Sequence, residues 1–207
     1  MKPLFYCSVI CCLSIFASCK KRFNCKETIY SFEGYYKAYP DMDSLRINDT
    51  IWLEANIPTQ LKNLITNQEV SYVGAVNLGT AISYLELIGG SFSDPGSIPA
   101  ANSFENILNK GSASQTDKQD QIRAFLFKEE GPMYFFKLGI VPKRKGLFAI
   151  GPGNAANVYT RSNKCDKAGF NLTFKDTDQH LYLYEQSRPG YTPSGYEQTH
   201  VYTFKVY

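Results

Sequence analysis

The chain is poor in the side chains that carry most enzyme chemistry: among its 207 residues there are two histidines and one tryptophan. Any serine or thiol nucleophile would have to use His180 or His200 as its base. There is no Gly-x-Ser-x-Gly elbow, and Gly151-Pro152-Gly153-Asn154 lacks the Lys-Ser/Thr ending of a phosphate-binding loop. Asp41-x-Asp43 and Asp176-x-Asp178 put paired acids in turns, but without the further oxygen ligands and closing Glu of a calcium loop, so no metal or cofactor is expected. Glu129 and Glu130 are adjacent and point to opposite faces of a strand, which does not make the facing carboxylate pair of a glycosidase. A net charge of +3 is too balanced for a nucleic-acid partner. Long apolar runs are missing too. The apolar run near the start, the thirteen residues from Leu4 to Phe16, is too short to span a bilayer comfortably.

That short run is nevertheless the most specific feature present. It follows the charged start Met1-Lys2 and ends in Phe16-Ala17-Ser18-Cys19, which resembles the lipobox of bacterial lipoproteins. The resemblance implies a signal peptide over residues 1–18 that is removed and a diacylglyceryl group, with acyl chains such as palmitate, on Cys19. It also implies a membrane partner reached through that lipid. Residues 19–27, with Lys20, Lys21, Arg22 and Lys26, then form a basic tether, and residues 28–207 the folded body. Lys20 stands where Asp favours inner-membrane retention in enteric members of the class, so the outer membrane of the cell envelope is expected.

Export also organises the six cysteines. Cys7, Cys11 and Cys12 leave with the signal and Cys19 takes the lipid. Cys25 and Cys165 are left in an oxidising compartment, where two thiols read as one disulfide closing a loop of about 140 residues.

Fifteen tyrosines and fourteen phenylalanines, set in short runs between turn residues, favour strands. Ile51, Leu53 and Ala55 share one face after an Asn48-Asp49 turn. The short strand, turn and longer strand holding Trp52, residues 45–55, resemble the opening of a bacterial immunoglobulin-like domain. The expected fold is mostly β, an antiparallel β-sandwich, immunoglobulin-like or related, with one or two short helices. Leu61–Asn67 has one helical turn's spacing. Val70–Leu78 and Ala81–Ile88 suggest a hairpin, as do Ile122–Lys128 and Met133–Val141. Ser103 is placed to cap a short helix over Phe104–Leu108 that Gly111 ends. Residues 91–120, rich in Gly, Ser, Pro and Asn, are the candidate boundary if the body subdivides. Leu181–Tyr184 alternates like a strand, and Phe170, Leu172, Phe174 and Tyr202, Phe204, Val206 mark two more.

Two function classes follow. The first is a non-enzymatic envelope module that binds a protein or glycan. Its contact candidates are Tyr191 and Tyr196, whose loop Pro189–Tyr196 has prolines and glycines that hold it off a regular ladder. The alternative is an envelope hydrolase built around His180 with Asp176 or Asp178, and the residual reading is a structural envelope protein.

Overall fold

The computed structural model describes residues 26–89, 96–114 and 120–207. The expected signal peptide over residues 1–18, Cys19 and Cys25 lie outside the described residues. The strands run β1 (Thr28–Tyr39), β2 (Ser44–Leu45), β3 (Ile51–Pro58), β4 (Gln60–Lys62), β5 (Glu69–Ser71) and β6 (Ala75–Val76). Next come β7 (Gly79–Leu87), β8 (Ser97–Pro99), β9 (Phe104–Lys110), β10 (Ser112–Ala113), β11 (Ile122–Leu126) and β12 (Lys128–Glu130). The chain continues through β13 (Met133–Pro142), β14 (Gly146–Pro152), β15 (Ala155–Thr160) and β16 (Asp166–Phe174). It ends with helices α1 (Tyr182–Ser187) and α2 (Glu197–His200) and strand β17 (Tyr202–Val206).

The strands form two main sheets in a sandwich-like arrangement. One has the order β12-β13-β3-β1-β16-β15-β6, with β9 also on β13, and curls into a half-barrel. The other runs β10-β11-β7-β14-β17-β2, with β8 also on β7. The β-rich sandwich expected from sequence is therefore present, but its sheets are mixed, because β1 pairs β16 and β17 pairs β2 in parallel.

Alternation explains which faces meet. In β1, Phe32, Gly34, Tyr36 and Ala38 point inward, while Glu33, Tyr35 and Lys37 point out. In β3, Ile51, Leu53, Ala55 and Ile57 are buried, and Trp52, Glu54 and Asn56 face outward. Phe32, Tyr36, Phe136 and Phe170 from the first sheet and Tyr84, Phe148, Tyr202 and Phe204 from the second fill the core. The Phe174 and Tyr202 rings, 6.0 Å apart, join the two sheets. Each such ring contributes roughly 1.5–3 kcal/mol by leaving water.

The two outer faces differ. A second cluster of Leu87, Ala149, Tyr184 and Val201, with Leu85, Leu147, Leu181 and Tyr191 against it, covers the outside of the second sheet with the α1–α2 segment. The outward side chains of β1 and β3 on the first sheet have no such cover among the described residues.

Several local expectations change. Phe104–Lys110 is strand β9 rather than a helix, because the edge of β13 offers its backbone a ladder; a 3-10 turn over Ala101–Ser103 precedes it. Gly111 does take a positive φ, but after a strand. Leu181–Tyr184 is not a strand: Leu183 and Tyr184 are neighbouring buried residues at the start of α1. The two expected hairpins also rearrange. β5, β6 and β7 pair with β4, β15 and β11 or β14, while β11 enters the second sheet and only β12 turns back onto β13. The stretch from 91 to 120 contributes β8, β9 and β10, and residues 90–95 and 115–119 lie outside the described ones. The Asn48-Asp49 turn forms, with Asn48 at positive φ and the Asp49 amide donating to the Arg46 carbonyl at 3.1 Å. Leu61–Asn67 divides into β4 and a single turn closed by the Asn67 amide on the Asn63 carbonyl.

Candidate functional site

Strand register brings outward side chains from β16, β1, β3 and β13 into a grid. Tyr39 stands opposite Trp52, and Lys37 opposite Glu54. On the other side of β3, Lys137 is opposite Glu54, Gly139 opposite Trp52 and Phe135 opposite Asn56. Tyr35 aligns with Thr173 of β16, and the chain continues from β16 into Lys175 and Asp176. At Gly139, a Cβ would stand 3.1 Å from the Trp52 ring, so the missing side chain gives the indole its place on the sheet.

Between these side chains lies a groove of 320 Å³ lined by Tyr35, Lys37, Tyr39, Glu54, Asn56, Lys175 and Asp176. Glu54 is its hub. The Tyr39 hydroxyl donates to Oε2 at 2.7 Å, the Asn56 amide to Oε1 at 3.0 Å, and the Lys137 ammonium lies 3.5 Å from Oε2. Partial burial pushes the Glu54 carboxyl up, but the two hydrogen bonds and the Lys137 charge outweigh it and hold the group below the ordinary carboxylate range. A carboxylate kept ionised in this way accepts hydrogen bonds and is unsuited to donating a proton near neutral pH.

Lysines sit on the ring faces. The Lys137 ammonium lies 5.2 Å from the centroids of both Tyr39 and Trp52, and the Lys175 ammonium 4.7 Å from that of Tyr35. Lys37 pairs with Asp176 at 3.6 Å. Tyr35 is 41% exposed and donates its hydroxyl to Glu33 at 2.8 Å. The groove thus combines amphipathic rings, a fixed acceptor, an amide and lysine ammonium groups, the pattern of a small set of polar groups orienting a ligand over apolar surface.

His180 does come together with Asp178, as the hydrolase alternative required, but in a different setting. Its Nδ1 is 3.5 Å from Asp178 Oδ2, and its Nε2 is 3.2 Å from Asp41 Oδ1. The ring is buried edge-on against Tyr202 at 5.4 Å, and the His180 amide donates to Asp178 Oδ1 at 2.9 Å. It fastens the turn after β1 to the turn after β16, and it lines neither of the grooves described in this section. Asp176 belongs to the open groove instead. His200 is also buried: Nδ1 is 2.7 Å from the Thr199 hydroxyl, Nε2 is 3.3 Å from Asn154 Oδ1, and the ring stacks on Tyr196 at 4.0 Å. Loss of solvation lowers its pKa below the ordinary histidine value. Among the described residues, no three His, Cys, Asp or Glu side chains form a group able to hold a metal.

The tyrosines of the 189–196 loop have different surroundings. Tyr191 is half-buried, packed on Tyr184 at 5.6 Å and beneath the Arg188 guanidinium at 5.5 Å. Its hydroxyl donates to both Glu197 oxygens at 2.8 and 2.7 Å. Burial, with Glu197 second, pushes this phenol up to about 12. It lines a 230 Å³ pocket with Leu85, Ser97, Arg188 and Glu197. Tyr196 is exposed and bound up with His200. Sequence reasoning missed Glu54, Asn56, Lys137 and Lys175; the alternation Tyr35-x-Lys37-x-Tyr39 was the available signal. No family model, curated protein or solved structure matches the chain.

Proposed function

We propose that this chain is a lipid-anchored, non-enzymatic module of a bacterial cell envelope that binds a glycan in the groove between β1 and β3. The observation that carries the reading is the Tyr39–Glu54–Asn56 hydrogen-bond network set among ring faces. Pyranose rings offer C–H faces to aromatic side chains and hydroxyls to a fixed carboxylate and amide. The lining is balanced in charge, Lys37 and Lys175 against Glu54 and Asp176, with Lys137 beside Glu54 and Glu33 beside Tyr35 at its margins, which suits a hydroxyl-rich sugar met through hydrogen bonds and ring faces.

Topology supports display from a membrane. The tether enters at Thr28, and β1, twelve residues long, carries the chain roughly 35 Å at 3.3 Å per residue before it ends at Tyr39. The groove sits toward the far end of that strand. The start of β1 is held against the second half of the chain, since Thr28 aligns with Asp166 and its amide donates to the Cys165 carbonyl at 3.1 Å. Cys25 is three residues away from Thr28 in sequence, which supports a Cys25–Cys165 bridge fixing the tether to the body.

The test compares binding of the full chain and a Tyr35→Ala, Tyr39→Ala double variant on arrays of acidic and neutral glycans. Capture of a subset of glycans by the parent and its loss in the variant, with melting unchanged, is expected. Equal capture by both proteins would overturn the groove as the site. Mass spectrometry of the Cys19 peptide tests the anchor separately, and an unmodified Cys19 in membrane fractions would remove it.

A further inference from the structure

The end of the molecule where the tether enters carries exposed apolar side chains that, among the described residues, no strand or helix covers. Ile29, one residue into β1, is 64% exposed, and Leu64 and Ile65 in the β4–β5 turn are 42% and 61% exposed. Backbone bonds hold that turn beside the strand: the Leu64 amide donates to the Ser31 carbonyl at 2.8 Å, and Asn63 Oδ1 accepts from the Ser31 and Ile65 amides at 3.1 and 3.2 Å. Val73, 54% exposed, belongs to the same end, since the Arg161 amide donates to the Gly74 carbonyl at 2.9 Å and the Tyr72 hydroxyl donates to the Asp166 carbonyl at 3.0 Å.

The folded residues around this end balance in charge, and the tether sequence tips the sum to basic. Arg161 and Lys164 are exposed on the β15–β16 turn, Lys167 aligns with Ile29, and Lys62 lies on β4. Against them stand Glu27, paired with Lys167 at 2.6 Å, Glu69 opposite Lys62, Asp166, and Glu129, which accepts from the Gly74 amide at 2.8 Å. The sequence before Glu27 adds Lys20, Lys21, Arg22 and Lys26. Aliphatic tips ringed by Lys and Arg suit the boundary between acyl chains and anionic head groups.

We infer that this end, with Ile29, Leu64, Ile65 and Val73 at its tip and Arg161 and Lys164 beside it, docks on the anionic phospholipid surface to which the chain is anchored. The inference rests on the proposed lipid anchor. Eight residues lie between Cys19 and Thr28, so even a fully extended tether reaches only about 30 Å, which keeps this end of the body close to the lipid. Docking on it directs β1 away from the bilayer and presents the Tyr35–Tyr39 groove outward.

Amide hydrogen exchange of the full-length protein, isolated with its native N-terminus, tests this in phosphatidylglycerol-containing vesicles against detergent micelles. Peptides covering 63–67, 72–74 and 160–165 should exchange several-fold more slowly on vesicles, whereas the 143–146 turn should be unchanged. An Ile29→Asp, Ile65→Asp variant should lose that protection while keeping its melting temperature. Equal exchange in vesicles and micelles, or protection that persists in the variant, would overturn the docking surface. So would protection that rises with protein concentration in micelles alone, since that would assign the patch to a second copy. The Cys19 peptide mass from the same sample reports the anchor independently. A lipidated protein without protection rejects docking alone, and an unlipidated protein that is still protected on vesicles rejects the anchor alone.

Discussion

Tyr39 donates its phenolic proton to Glu54 across the β1–β3 pair, at 2.7 Å, where an unsupported exposed tyrosine would have no fixed orientation. That bond fixes both the ring wall and the acceptor of the groove. Tyr39→Phe keeps the ring and removes one donor from Glu54, so the carboxyl pKa should move up toward its ordinary value. Carboxyl-detected NMR titration of parent and variant measures the shift. Because the folded-state value is depressed, the stability it supplies is complete above the unfolded value and is lost as pH falls through the folded one. The variant should therefore lose less stability on acidification.

His200 governs a second pH window. Its uncharged partners, Asn154, Thr199 and the Tyr196 carbonyl, do not compensate a buried imidazolium, and its pKa is lowered by burial. The unfolded chain then binds the proton first, so stability is full above the ordinary histidine value and falls as pH drops through the folded value. Urea denaturation across pH 5–8 should show this slope, and His200→Phe should flatten it.

Two glycines set packing limits of different severity. A Cβ on Gly79 would lie 2.4 Å from the Phe125 carbonyl oxygen, a backbone atom on the neighbouring strand, whereas on Gly34 it would meet the side-chain ends of Ile57 and Leu172 at 2.7 Å. Side chains rotate and backbone does not, so Gly79→Ala should cost about 3 kcal/mol and Gly34→Ala about 1 kcal/mol. Chemical denaturation gives the order directly, and a larger loss at Gly34 would contradict it.

The proposed Cys25–Cys165 bridge closes a long loop, for which chain entropy gives on the order of 5 kcal/mol. Non-reducing peptide mapping should recover the two cysteines as one linked pair, and reduction should lower the melting temperature. Recovery of both as free thiols from quenched native material would reject the bridge.

Much of the fold was legible because burial acts through period-two alternation. Ile51, Leu53 and Ala55, like Phe170, Leu172 and Phe174, face the core as their spacing suggests. Where a run was too short for its period to decide, tertiary pairing ruled. Phe104, Ile107 and Leu108 fit a helix, yet β13 takes them as a strand, and Leu181–Tyr184 fits a strand, yet packs as a helix over Leu87 and Ala149. The groove was hidden for a related reason. Tyr35, Tyr39 and Trp52 are visible as aromatics, but the register that sets Glu54 between Lys37 and Lys137 is a non-local fact. The 189–196 loop drew attention through its turn residues, and the tie from Tyr191 to Glu197 cannot be read from composition.

The chain's single tryptophan lies on the groove's grid, so its fluorescence reports the central claim without a label. Titration of the full chain with an oligosaccharide captured on the array should give a saturable change in Trp52 emission. The change should weaken at least tenfold, a loss of about 1.4 kcal/mol, in Tyr39→Ala, and should persist in Tyr191→Ala. Saturable binding by calorimetry with silent Trp52 emission, and equal affinity in Tyr39→Ala, would contradict the assignment of the groove.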